Sequence, residues 1–192
     1  MQLRLAMLAV ACFLPAAQGA PITYFAELSG PNENPPVASP GIGWALVTID
    51  TAAHLLSIDV SFTGLVGTVT ASHIHCCTST PFTGNVGVAT TTPTLPGFPL
   101  GVTSGTYSNT LDTTLLSTFG SAFVTANGGS AAGAEAALAA GLASGRAYFN
   151  IHTNSFPGGE IRGFLAPVPE PGTLALVGAA LALLAARVRR RA

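Results

Sequence analysis

Arg146-Ala-Tyr-Phe-Asn-Ile-His-Thr-Asn-Ser-Phe-Pro-Gly-Gly-Glu-Ile-Arg-Gly-Phe-Leu165 alternates with a period of two on both sides of a turn. Successive side chains of an extended chain leave opposite faces. Ala147, Phe149 and Ile151 therefore share one face, and Arg146, Tyr148, Asn150 and His152 share the other. Asn154–Gly159 supplies turn chemistry: Asn and Ser, then Pro, then two glycines that tolerate positive φ. The alternation then resumes, with Glu160, Arg162 and Phe164 opposite Ile161, Gly163 and Leu165. The stretch predicts an antiparallel hairpin with one apolar side and one heavily functionalised polar side.

Outward from this hairpin, the chain reads as short strands and turns. Ile22–Ser29 is strand-like, and Gly30–Val37 is a proline-limited loop in which Asn32, Glu33 and Asn34 are free to cap or bind. Gly41–Asp50 and Ala53–Phe62 form a second predicted hairpin, with its turn over Asp50–Ala53 and His54 exposed at the edge. Thr68–Cys76 puts Val69, Ala71, His73 and His75 on one face and Thr70, Ser72, Ile74 and Cys76 on the other. A short strand over Gly84–Thr90, a long loop over Thr91–Ser104 and a strand over Gly105–Asp112 follow. Two short helices are expected, Thr113–Phe119 capped by Asp112 and Ser130–Leu142 stopped near Gly141. About eight strands with frequent turns predict an all-β antiparallel sandwich or barrel carrying one or two short helices.

Charge removes one functional class. The 192 residues contain no lysine. Over residues 21–166, two arginines face seven acids, a net charge of about −5 with His neutral. A nucleic-acid binder needs a basic surface, so nucleic acid is excluded as a partner.

Both ends read as addresses. Residues 1–20 have the form of a signal peptide for the Sec machinery and signal peptidase: Arg4, the apolar run Leu5–Leu14, and small residues before Pro21. A lipoprotein reading through Cys12 is poorer, because the residues before it do not make an acceptable approach. Residues 21–166 form the predicted domain, and residues 167–192 form a tail. In the tail, Pro169, Glu170 and Pro171 lie in a linker (167–172) before an apolar helix (173–186) and Arg187, Arg189, Arg190 and Arg191. That helix covers about 21 Å against a hydrocarbon core of about 30 Å, and its arginines can snorkel on the cytoplasmic side. The three-part tail resembles the PEP-CTERM sorting signal of Gram-negative bacteria. The resemblance implies an inner-membrane intermediate, an exosortase as partner, and delivery to the cell surface or an extracellular matrix, where exopolysaccharide and other surface proteins are candidate partners.

The domain itself resembles the CHRD family. The matching blocks are Phe25-x-Ala-x-Leu-Ser-Gly30, Asn32-Glu-x-Pro-Pro-Val37, Gly64-Leu65, His73-Ile-His75, and Tyr148-x-Asn-Ile-His-Thr153 with Gly158-Gly-Glu-Ile-Arg-Gly163. The resemblance implies a Greek-key-like all-β domain, and it brings no settled biochemical activity.

One constellation points to chemistry. His73 and His75 leave the same strand face about 7 Å apart at the backbone, a spacing that lets two imidazoles converge on one ion. His152 is the candidate third ligand, and Asn150 or Glu160 the candidate orienting group. Imidazoles suit copper or zinc. The same residues also read as a structural network, with Arg146 or Arg162 neutralising Glu160 across the hairpin. The His-x-His spacing is locally similar to the copper strand of Cu,Zn superoxide dismutase, but the remaining ligands of that enzyme have no counterpart, and a catalytic role is not favoured. Cys76 and Cys77 leave three options open: a vicinal disulfide, a thiolate site beside His75, or bonds to other chains. The sequence therefore predicts a non-enzymatic exported protein with a binding or structural role, with a copper- or zinc-binding domain as the alternative.

Overall fold

The computed structural model describes residues 20–169. The expected signal peptide, all but its last residue, and the tail from Glu170 onward, including the helix over 173–186 and the terminal arginines, lie outside the described residues. Eight antiparallel strands form one curled sheet. They are β1 (Ile22–Ser29), β2 (Ile42–Asp50), β3 (Leu55–Thr63), β4 (Val69–Cys76), β5 (Gly105–Asp112), β6 (Ala147–Thr153), β7 (Ile161–Phe164) and β8 (Ala166–Pro167). The order across the sheet is β4-β6-β7-β1-β2-β3-β5, and β8 adds to β1.

The alternating strands fold as their periodicity dictates. Leu56, Ile58, Val60 and Phe62 of β3 are buried, and Ile49, Val47 and Ala45 stand opposite the first three on β2. On the outer face, hydroxyl pairs Thr23–Thr48 and Ser57–Thr110 link neighbouring strands at 2.9 Å. The Asp50 carboxylate accepts from the Ala52 and Ala53 N–H groups and closes the β2–β3 turn. His54 does not hang free at this turn. Its Nδ1 meets the buried Glu135 carboxylate at 2.9 Å and ties the turn to the helical layer.

The β6–β7 hairpin is the seam of the sheet. It joins β4 on one side to β1, β2, β3 and β5 on the other. Gly163 makes this possible, because a side chain there would run into the Glu27 carbonyl of β1. Ala147, Phe149 and Ile151 are completely buried in the core, each large side chain contributing about 1.5–3 kcal/mol by its removal from water. The free ends of the sheet approach one another through the connection before β5. There Val69 donates to the Val102 carbonyl at 2.9 Å, and Gly101 donates to Val69 at 2.9 Å.

Three expected elements differ. Residues 84–90 make only single bridges, Val88 to His75 and Thr90 to Phe119, because Gly84 and Gly87 leave too few paired side chains for a strand. Asp112 caps a turn through Thr114, and the first helix starts later, as α1 (Ser121–Ala126) after a 3-10 turn at Leu116–Thr118. The second helix, α2 (Ala131–Ala143), is N-capped by Ser130 accepting from Gly133 N–H at 3.1 Å, and the chain leaves it through Gly145 at φ 66°, not at Gly141.

Gly141 has a different duty. Cys76 and Cys77 form a vicinal disulfide, and both sulfurs lie where a Gly141 Cβ would be. Cys76 faces the core, away from His75, which removes the thiolate-ligand option. Gly141→Val forces the helix off the disulfide. We expect a loss of about 1–3 kcal/mol or more, as for other overpacked cores, measured as a lower urea midpoint.

Candidate functional site

The polar face of β6 is not an exterior. It is covered by the 77–104 connection and the 30–37 loop, so β6 is buried on both sides. The covering follows from register. β4 pairs with β6 so that His73 lies opposite Asn150, His75 opposite Tyr148, and Ala71 opposite His152. All three imidazoles therefore emerge on one face, under the loops.

One ring nitrogen from each of His73, His75 and His152 lies within 4.8 Å of the other two. This is wider than the spacing of about 4 Å or less that three ligands of one bound ion would have. The ring centroids stand 5.4–5.8 Å apart. The other nitrogen of each ring meets a backbone carbonyl: His73 Nε2 with Pro93 O at 2.8 Å, His75 Nδ1 with Val86 O at 2.8 Å, and His152 Nδ1 with Pro157 O at 3.0 Å. A carbonyl only accepts, so each of these nitrogens carries the proton. Among the described residues, His73 Nδ1, His75 Nε2 and His152 Nε2 are left as buried lone pairs without a partner.

Burial keeps the rings neutral. It pushes His73 and His75 down to about 4, against the pull of their carbonyl hydrogen bonds, and it lowers His152 as well. His75 stacks on Tyr148 at 4.8 Å with 5° between the planes, and the Tyr148 hydroxyl donates to the same Val86 carbonyl at 3.2 Å. The Arg162 guanidinium lies over Tyr148, 4.7 Å from its centroid.

The remaining polar residues do not serve the imidazoles. Glu160 is completely buried and accepts from Ser39 Oγ, Thr153 Oγ1, and the Val66 and Gly67 N–H groups at 2.5–3.0 Å. Among the described residues it has no arginine partner, contrary to the expected pairing across the hairpin. Arg146 donates instead to the Thr78 carbonyl. Arg162 donates to Asn32 O at 2.6 Å and Asn85 Oδ1 at 2.7 Å, and meets Glu33 at 3.7 Å. Burial pushes the Glu33 carboxyl up to about 7, with Arg162 pulling against it. Asn150 is buried, its Oδ1 has no partner among the described residues, and it orients no ring.

The orienting groups are therefore three carbonyls, which no residue type announces in a sequence. The Glu33–Arg162 link joins two of the family-like blocks, but their 129-residue separation carries no spacing signal.

The CHRD domain model matches residues 24–165, and the PEP-CTERM protein-sorting motif matches residues 167–191. The chain belongs to the CHRD domain family. It is an exported protein of the exosortase-sorted kind, passing through a membrane-anchored intermediate in a Gram-negative bacterium. No curated protein and no solved structure matches it.

Proposed function

We propose that the CHRD domain is an extracytoplasmic metal-binding module that holds one copper or zinc ion on His73, His75 and His152. The observation that carries this reading is the cluster of three imidazoles with one nitrogen of each within 4.8 Å of the others, on rings that each hold one nitrogen to a carbonyl and leave the other buried without a partner among the described residues. Buried acceptors without a donor are unfavourable in a protein interior, and an ion held by the three rings would satisfy them. Carbonyl-held imidazoles are also the usual outer-sphere arrangement of metal-ligating histidine. At metal–nitrogen bonds of about 2.0–2.1 Å, a tetrahedral centre brings its nitrogens closer together than 4.8 Å, so binding would draw the rings inward.

The role is one of binding rather than turnover, at the cell surface or in an extracellular matrix. Metal analysis of the purified protein after reconstitution tests the centre. One ion per chain, lost in His75→Ala, is the expected result, and substoichiometric metal in both proteins would sink the reading. Robust turnover of superoxide, abolished by His73→Ala, would overturn the non-catalytic part. The sorting step has its own test: changing Glu170 or deleting Arg187–Ala192 should leave precursor at the inner membrane, whereas normal surface delivery of both variants would remove the exosortase step.

A further inference from the structure

We infer that the outer surface across β1, β2 and the 30–37 loop is a binding groove for a neutral polysaccharide chain, separate from the three-imidazole site. Two adjacent clefts share Glu27 and Asn32 and run into one another. The first, of about 440 Å³, is also lined by Glu33, Asn34, Phe82 and Phe164. The second, of about 450 Å³, is also lined by Phe25 and Trp44. Each volume is in the range of small-ligand sites, and together they suit a run of sugar units.

Aromatic rings stand at both ends of this groove, and they are exposed. Phe82 is 56% exposed, Trp44 41% and Phe25 39%. Trp44 lies opposite Glu27 in the β1–β2 ladder, so one ring and one carboxylate share the same outer surface. Phe82 is held in place at the other end. Its backbone sits at φ 57°, a conformation rare for a bulky residue, and its N–H donates to Gly145 O at 2.7 Å. Its ring lies edge-on to Phe164 at 6.2 Å and over Gly145, where a side chain would collide with it. The fold thus keeps an exposed aromatic in a strained conformation at the rim of a polar cleft.

The chemistry between the rings selects the ligand. The electron-rich face of an aromatic ring attracts the C–H-rich face of a pyranose. Carboxylates accept from hydroxyls, and amides both donate and accept. The side chains of Glu27 and Asn34 make no hydrogen bond among the described residues, so both are available. Arg162, the one cation that lines the groove among the described residues, is already committed to Asn32 O, Gly84 O and Asn85 Oδ1. The exposed Glu27 carboxylate, beside an arginine already committed and in a domain of net charge about −5, disfavours a polyanion.

Trp44 is the chain's one tryptophan, so its fluorescence reports on the groove directly. The full-length protein is titrated with cellohexaose, with mannohexaose and, as the anionic arm, with an oligoguluronate. A saturable shift in emission is expected with a neutral hexasaccharide, weakened by about tenfold or more in Phe82→Ala. The exposed Asn34→Ala should weaken it without disturbing the far-UV circular dichroism. His152→Ala, which removes a metal ligand, should leave it unchanged, so failure of the groove and failure of the metal reading are told apart. The inference is overturned by any of four results: no saturable shift with either neutral sugar at millimolar concentration, a response to the guluronate alone, unchanged affinity in both groove variants, or an emission shift that follows protein concentration because copies pair through this surface.

Discussion

Charging the purified protein with Cu²⁺ or Zn²⁺ should raise its melting temperature by about 10 °C, and His75→Ala should abolish the rise. A ligand that binds only the folded state stabilises it by about 4 kcal/mol at a thousandfold excess over its Kd. For a domain of this size each kcal/mol shifts the midpoint by roughly 2–4 °C. The metal meets little proton competition near neutral pH, because burial already holds His73 and His75 down to about 4. The same experiment separates the metal centre from a purely structural network. If the imidazoles only tie loops to the sheet, His75→Ala lowers the midpoint of the metal-free protein by about as much as that of the charged one. If they hold an ion, most of the loss appears only when metal is present. A melting temperature that does not move on charging would remove the centre.

The parts of the fold that were legible are those where side-chain period and burial agree. β2, β3 and β5 each bury one face and wet the other, so Leu56, Ile58, Val60 and Phe62 announce their strand, expected over Ala53–Phe62 and found over Leu55–Thr63. β6 was legible as a strand but not as a doubly buried one. Its polar face looks like a solvent face until the 77–104 and 30–37 segments are laid over it, and their positions depend on long-range contacts such as Arg162 to Asn32 and Asn85. The three histidines could be named as a set because two share a strand face and the third lies on the neighbouring strand. Their orientation could not, because it rests on the Pro93, Val86 and Pro157 carbonyls. Gly141 shows the same limit. A glycine near a helix end reads as a stop, whereas here it makes room for the sulfurs of a disulfide formed 64 residues earlier in the chain.

Glu160→Ala should cost about 3 kcal/mol or more of stability, because several hydrogen bonds to a buried carboxylate are lost together. Ser39 Oγ, Thr153 Oγ1 and the Val66 and Gly67 N–H groups would all lose their acceptor, and an unmet buried donor costs about 1–3 kcal/mol. Glu160→Gln keeps the shape but turns an amide toward groups that donate, so it should recover only part of the loss. Burial alone would raise the Glu160 carboxyl. The hydrogen bonds from Ser39, Thr153, Val66 and Gly67 outweigh it and leave the group below its ordinary value of 4.5. The sign of the pH dependence follows: the contribution is complete above about 4.5, where the unfolded carboxyl is also ionised, and is lost as the pH falls through the lower folded value. Urea midpoints at neutral pH and at pH about 3 should therefore lie closer together for Glu160→Gln than for the wild type. A Glu160→Ala midpoint equal to the wild type at neutral pH would show that these loops do not depend on the carboxylate. The expected dependence divides the hairpin's polar side between two duties. Glu160 anchors the segments at 39, 66–67 and 153, while His152, one residue before Thr153, keeps a ring nitrogen within 4.8 Å of one on His73 and one on His75.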